Sequence, residues 1–129
     1  MATWKSFEDI DAWQMARSFC QDVSRLANKK LDNKDYGLID QLRNSSGSIM
    51  DNIAEGFGRG GTNEFIYFLS VAKGSAAESK SQLYRFLDNN YISKDEFLLL
   101  QEKLTQISKK IGGLIAYLSK SNYKGIKYK

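Results

Sequence analysis

Residues 36–64 read YGLIDQLRNSSGSIMDNIAEGFGRGGTNE and carry the clearest architectural signal in the chain. Apolar or small residues recur in this stretch every three or four positions, at Leu38, Leu42, Ser45, Ile49 and Ile53. This spacing places them on one face of a helix, and it predicts helix two over residues 34–55. The glycine cluster over residues 56–61 predicts a short turn that reverses the chain.

The glycine cluster also predicts how the flanking helices end and begin. Gly56 is expected to cap helix two, because glycine adopts a positive φ without a Cβ penalty. Thr62 or Asn63 is expected to cap helix three, since either side chain accepts hydrogen bonds from the first amides. The glycines match G-x-G-x-x-G formally, but they follow a helix rather than a strand, which excludes a Rossmann site. The turn either simply reverses the chain or, together with Arg59, holds a phosphate.

The same periodicity predicts three further helices, over residues 8–28, 62–88 and 94–119. Helix four has the most regular pattern, with seven apolar residues at alternating spacings of three and four: Phe97, Leu100, Leu104, Ile107, Ile111, Leu114 and Leu118. Ser93 and, three residues later, Glu96 form a capping box at its start. Long helices with short connections predict an all-α, antiparallel, up-down-up-down four-helix bundle.

Composition predicts one globular domain over residues 1–129. The chain has 129 residues, no proline and 42% hydrophobic residues, which suits a single packed core. The N-terminal segment MATWKSF has no signal-peptide pattern, and no stretch is long and apolar enough to span a membrane. We therefore expect a cytoplasmic protein without a membrane partner.

The net charge of +4 conceals an asymmetry along the chain. Up to Glu102 there are 12 Lys and Arg residues against 15 Asp and Glu residues, whereas 7 lysines and no acid follow from Lys103 onward. Residues 120–129 interleave lysines with tyrosines, which predicts a basic C-terminal tail. Such a tail either contacts nucleic-acid phosphates and offers rings for stacking, or is a solvated terminus that maintains solubility.

The residue types exclude most familiar enzyme chemistry. The chain has no histidine and one cysteine, Cys20, which lies among apolar residues and is expected to be a buried structural thiol. Four carboxylates are left as candidates for acid–base work, although nothing in their spacing requires it: Asp40, Asp51, Glu55 and Glu78. Glu55 opposes the helix dipole, so we expect it to pair with Arg59 or to cap helix three. We predict no catalytic residue, cofactor or metal site.

Helix three carries more apolar surface than a four-helix core can bury. Tyr67, Val71 and Gly74 form a second line on it, and Ile66 and Tyr84 also lie off the core stripe. The adjacent Gly112 and Gly113 in helix four each cost about 1 kcal/mol relative to alanine, so close approach of another backbone is expected to compensate. A homo-oligomer interface explains both features, and intramolecular packing is the alternative.

Four segments resemble one known family. They are FEDIDAWQMA (7–16), YGLIDQLR (36–43), SIMDNIAEG (48–56) and FIYFLSVAKGS (65–75). Together they are similar to the 23S rRNA intervening-sequence proteins, also called the S23 or four-helix bundle protein family, and the likeness runs from about residue 7 to residue 118.

The resemblance implies a four-helix bundle that commonly assembles as a homopentamer. Some members are encoded within 23S ribosomal RNA genes, and a related accessory protein of diversity-generating retroelements binds nucleic acid and a reverse transcriptase. Most members have no established activity. The chain departs from the family at Asn44 and Gly47, where arginine and alanine are more usual, which weakens one basic position on helix two.

We therefore expect a non-catalytic, oligomeric bundle that binds structured RNA or DNA through backbone electrostatics. The alternative is an interaction scaffold that docks a protein partner such as a polymerase or reverse transcriptase. The candidate nucleic-acid contacts are Arg43, Arg59, Lys109, Lys110, Lys120, Lys124, Lys127 and Lys129. The candidate oligomer interface comprises Ile66, Tyr67, Val71, Gly74 and Tyr84.

Overall fold

The computed structural model describes residues 4–29 and 35–127, with side chains in the last helix described through residue 121. A 3-10 turn over Phe7–Asp9 precedes four helices: α1 (Asp11–Asn28), α2 (Tyr36–Gly58), α3 (Thr62–Asp88) and α4 (Lys94–Lys127). Each helix packs against the next, and α4 packs back against α1. Within the described ranges, the backbones of the diagonal pairs, α1 with α3 and α2 with α4, do not approach within 8 Å between Cα atoms. The predicted up-down-up-down bundle is confirmed.

The predicted apolar stripes form a single core. In helix four, six of the seven periodic residues are buried and Leu114 is half-buried. The other helices supply the rest of the core from the faces that their spacing predicts. The largest fully buried side chains include Phe19, Leu42, Ile49, Ile53, Leu69, Leu83, Phe86, Leu104 and Ile111.

The α2–α3 seam, where these two helices pack, closes around a glycine. A Cβ placed on Gly56 would lie 2.7 Å from Phe68 Cβ, which ordinary packing does not allow, and 3.1 Å from Phe65 Cδ1, which is an unusually tight contact. Gly56 is itself buried within α2. The prediction that Gly56 caps helix two is therefore wrong, because the residue serves helix contact rather than helix termination.

Serine hydroxyls continue the α2–α3 seam along its length. Ser45 Oγ lies 2.8 Å from Ser79 Oγ and donates to Gln82 Oε1 at 2.6 Å, and all three residues are buried. One turn further along, Ser75 Oγ donates to Ser48 Oγ at 2.9 Å. Small polar side chains thus let the helices approach while each buried hydroxyl keeps a partner.

The α1–α4 seam is joined by ion pairs, of which Lys29–Glu96 is exposed and Lys103–Asp22 is partly buried. Lys103 Nζ lies 2.5 Å from Asp22 Oδ2, and Lys29 Nζ lies 2.5 Å from Glu96 Oε2. Arg25 also pairs with Asp22 from within α1. Donation from Lys29 and from the Ser93 amide holds the pKa of Glu96 below its usual value.

Several predicted helix ends shift in the structure. The first helix begins at Asp11 rather than residue 8, because Asp9 accepts from the Ser6 amide and closes a separate 3-10 turn. Helix two continues to Gly58 rather than ending at Glu55, and the positive φ of the turn falls on Gly60 at 83°. Gly61, in extended conformation, takes the N-cap position of α3, so the predicted cap by Thr62 or Asn63 is wrong.

Helix four gives one confirmation and one correction. The capping box is confirmed, since the Glu96 amide donates to Ser93 Oγ at 3.1 Å and the Ser93 amide donates to Glu96 Oε1 at 3.2 Å. The predicted end at residue 119 is wrong, because α4 continues to Lys127. Residues 120–127 of the predicted tail are therefore helical, and residues 128–129, which include Lys129, lie outside the described residues.

Candidate functional site

Five positions of α4 that carry lysine fall on one side of the helix. At about 3.6 residues per turn, positions 109, 110, 120, 124 and 127 fall within an arc of about 100°, away from the buried line through Ile107, Ile111 and Leu118. We call this set the lysine face. It extends about 27 Å along the helix at about 1.5 Å per residue. The side chains of Lys124 and Lys127 lie outside the described set, so their place here rests on backbone register alone.

The described lysines of this face are largely uncompensated by acids. Lys109 and Lys120 are exposed, and among the described side chains no carboxylate lies within ion-pair distance of either. Lys110 Nζ lies 3.9 Å from Asp11 Oδ2, with both groups in solvent. An exposed pair at that distance is weak, so Lys110 remains available to bind another anion.

The two candidate arginines lie elsewhere. Arg59 donates to Glu55 Oε2 at 2.7 Å, and its guanidinium lies 5.1 Å from the centre of the Phe68 ring. The hydrogen bond to Glu55 raises the pKa of Arg59, and the same carboxylate offsets its charge. The predicted pairing of Glu55 with Arg59 is confirmed. Arg59 is therefore a poor site for an additional anion.

Arg43 is separated from the lysine face by the bundle itself. It lies on α2, which is diagonal to α4, and it lines a shallow depression of about 330 Å³ together with Asp51, Asn52 and Glu55. Two carboxylates in that depression oppose the approach of a phosphate. The structure thus brings together the candidates on α4 and does not bring Arg43 to them.

A second feature adjoins the lysine face and was missed by sequence reasoning. A cleft of about 440 Å³ opens between α4 and the segment leading into α1, and we call it the aromatic cleft. Its lining comprises Trp4, Asp9, Ile10, Asp11, Ala12, Lys109, Lys110, Gly113, Leu114 and Tyr117. The Trp4 and Tyr117 rings meet edge to face with centroids 6.4 Å apart. These two residues are far apart in sequence, so no local pattern indicates the cleft.

The described residues do not assemble a recognisable catalytic centre. Cys20 Sγ donates to the Ser46 carbonyl at 3.3 Å, and burial raises the pKa of the Cys20 thiol, which disfavours the reactive thiolate. Asp51 and Glu55 line one depression, whereas Glu78 lines a different one. Within the described ranges no group of three or more acidic or cysteine side chains could hold a metal ion, and no helix is long and apolar enough to cross a bilayer.

The predicted oligomer interface on α3 is largely open to solvent. Tyr67 and Val71 keep 64% and 37% of their surface exposed, and a Cβ on Gly74 would meet nothing within 4 Å. Ile66, in contrast, is half-buried against the core of its own chain. Tyr84 is 55% exposed, and its ring rests 4.8 Å from that of Phe97. Tyr67, Val71, Gly74 and Tyr84 are therefore the accessible residues of the predicted interface, and Ile66 is the half-buried one.

The two glycines of α4 have no close backbone neighbour within the described chain. A Cβ on Gly112 would meet only Lys73 Nζ, at 3.6 Å, and one on Gly113 would meet nothing within 4 Å. The prediction that an approaching backbone compensates for these glycines is therefore not met within the protomer.

Residues 8–113 match the sequence pattern of the family described as 23S rRNA-intervening sequence protein. This span contains three whole helices and the greater part of α4. The chain belongs to the 23S rRNA-intervening sequence protein family. The resemblance drawn from residues 7–118 is thereby confirmed. The span of this chain that matches the family includes Lys109 and Lys110, and it ends before Tyr117 and Lys120.

One solved structure in the S23 group shares the fold of this 23S rRNA-intervening sequence protein. It is a protein of unknown function from the S23 ribosomal protein family of Bacteroides thetaiotaomicron, with a TM-score of 0.76 and 20% sequence identity over 81% of this chain and 95% of that one. At that identity the likeness shows the fold alone. No curated protein matches the chain. Family membership thus leaves the role to be argued from surface chemistry.

Proposed function

We propose that this protein is a non-catalytic, oligomeric helical bundle that binds structured RNA or DNA, with the lysine face of α4 as its contact to the phosphate backbone. The observation that carries this proposal is the alignment of Lys109 and Lys120 on one side of a helix that continues to Lys127, where neither lysine has a carboxylate within ion-pair distance among the described side chains. A row of cations on a rigid helix follows a polyanion without ordering a flexible tail first.

The other basic candidates contribute less to this proposal. Arg59 already shares its charge with Glu55, and Arg43 lies on the far side of the bundle beside two carboxylates. The proposed contact is therefore narrower than the full set expected from sequence, and it centres on α4. Oligomerisation would repeat the lysine face in each copy and raise the avidity for a long nucleic acid.

The test compares two double variants by fluorescence anisotropy with a labelled RNA hairpin at fixed low salt. Lys109→Ala with Lys120→Ala should lower the affinity at least roughly ten-fold, because two phosphate contacts are lost. The control, Arg85→Ala with Lys94→Ala, removes equal charge from the opposite end of the bundle and should change the affinity little. Equal losses in the two variants would assign binding to net charge rather than to the lysine face.

The oligomeric part of the proposal rests on the outward side of α3. Tyr67 and Val71 are exposed beside Gly74, whose open backbone would let another helix approach closely. A five-membered ring is what the resemblance implies, so light scattering should give about five times the subunit mass of 14.7 kDa. Val71→Asp should yield the monomer, whereas Leu99→Asp, an exposed substitution on α4, should leave the assembly intact.

The alternative role, docking of a polymerase or reverse transcriptase, would use the same exposed side of α3. The two readings separate under the variants above. Loss of a protein partner in Val71→Asp with RNA affinity retained in Lys109→Ala and Lys120→Ala would favour the scaffold. The opposite pattern would favour direct nucleic-acid binding.

A further inference from the structure

The aromatic cleft has the size and lining of a small-ligand site. Its volume of about 440 Å³ falls within the range of about 300–1,000 Å³ that such pockets occupy. Apolar and aromatic groups form its walls, among them Trp4, Ile10, Leu114 and Tyr117. Walls of this kind suit a flat, aromatic guest better than a compact ion or a flexible chain.

Charge at the cleft favours an anion attached to that guest. Lys109 and Lys110 both line it, and neither is strongly neutralised by a carboxylate among the described side chains. Of the two acids in the lining, Asp9 accepts from the Lys5 and Ser6 amides at 2.8 and 3.2 Å and is held by its own turn. Asp11 is exposed and lies 3.9 Å from Lys110, where it can swing into solvent.

Gly113 provides an independent sign that the cleft is kept open. Glycine inside a helix lowers stability relative to alanine, and such a position usually has a packing reason. Here a Cβ would meet nothing within 4 Å, so packing within the described chain does not explain it. A side chain at position 113 would instead project into space that borders the cleft.

We propose that the aromatic cleft holds one unstacked base of a single-stranded nucleic acid, stacked on Trp4 or Tyr117, while Lys109 and Lys110 bind the adjoining phosphates. This inference rests on the proposed function and specifies its ligand: a loop, bulge or end rather than a continuous duplex. Stacking of splayed bases on aromatic side chains is the usual way in which proteins grip single strands.

The test separates the contribution of the base to the affinity from that of the phosphate backbone. Binding of a short oligouridylate is compared with that of an abasic strand of equal length and charge. The wild type should prefer the base-bearing strand by roughly five-fold or more, the effect of one stacked base. Gly113→Leu fills the cleft without removing a contact and should abolish that preference while leaving abasic binding unchanged. Gly47→Leu, at a helical glycine on α2 that is equally open, should preserve the preference.

A second readout uses the position of Trp4. The chain has two tryptophans, so in a Trp13→Phe background the tryptophan emission comes from Trp4 in the cleft alone. Oligouridylate should quench it and the abasic strand should not. Equal wild-type affinity for the two strands, or an unchanged preference in Gly113→Leu, would overturn the base site while sparing the lysine face. If neither strand bound, the base site would be overturned, and if the labelled RNA hairpin also failed to bind, the lysine face would be overturned as well.

Discussion

The α2–α3 seam and the α1–α4 seam hold the same bundle together by different chemistry. In the first, Gly56 lets two helices touch and buried hydroxyls such as Ser45 and Ser79 bond across the contact. In the second, Asp22 and Glu96 pair with lysines near the surface. Close packing and buried hydrogen bonds are short-ranged and insensitive to salt, whereas surface pairs are screened. The difference predicts that added salt leaves the α2–α3 seam unchanged and weakens the α1–α4 seam.

The sharpest way to break the α2–α3 seam is to add side-chain volume at Gly56. Gly56→Val should lower the free energy of unfolding by about 3 kcal/mol, the upper end of the range of about 1–3 kcal/mol that overpacking typically costs, because the new atoms overlap Phe68. Urea denaturation measures the loss. Gly47→Val, on the same helix with open space around it, is the control and should change stability by about 1 kcal/mol or less.

Removing a hydroxyl from the same seam should have the next largest effect. Ser45→Ala leaves Gln82 Oε1 and Ser79 Oγ without their shared partner, which costs about 1–3 kcal/mol when the groups are buried. The loss should be the same at low and high salt. If added salt shifted it appreciably, the contrast between the two seams would be weaker than described.

The α1–α4 seam should respond weakly and with the opposite salt behaviour. Lys103→Met removes the cross-helix partner of the partly buried Asp22 and should cost about 0.5–1 kcal/mol at low salt, with part of that difference lost at high salt. Denaturation of the variant and the wild type at both ionic strengths measures this. A cost that is undiminished in high salt would mean that the pair is held by packing and not by charge.

The smallest expected effect is the pH response of Glu96. Its folded pKa is lowered from the ordinary value of 4.5, first by donation from Lys29. Its stabilising contribution is therefore fully present above about pH 4.5, and it is lost as pH falls through the lowered folded value. Glu96→Gln keeps the capping box and should flatten this part of the acid limb of a stability–pH curve. An unchanged acid limb would mean that Glu96 does not contribute to the pH dependence of stability.

The sequence predicts correctly those features that depend on residues within a single helix. The spacing from Phe97 to Leu118 and the capping box at Ser93 and Glu96 predict helix four correctly, because both depend on residues within a few positions of each other. The same reasoning ended the helix too early. After Leu118 the apolar periodicity stops while the polar helix continues, so a prediction that follows core residues cannot detect the extension.

Features that depend on contact between distant segments were not predictable in this way. Gly56 was predicted to cap helix two because the local sequence does not reveal its contact with Phe68. That residue lies twelve positions later and on another helix. The aromatic cleft needs Trp4 and Tyr117 from opposite ends of the chain. From sequence, Arg43 is a basic residue equivalent to the α4 lysines. Only the packing order of the helices places it on the side of the bundle away from the lysine face.

The central claim, that the lysine face binds the nucleic-acid backbone, is tested most directly by the salt dependence of affinity. For duplex DNA, each phosphate contact contributes about −0.9 to the slope of log affinity against log salt concentration. The wild type should show a steep negative slope, and Lys109→Ala with Lys120→Ala should make it shallower by about 2. A wild-type slope near zero, or one that the double variant leaves unchanged, would contradict the account.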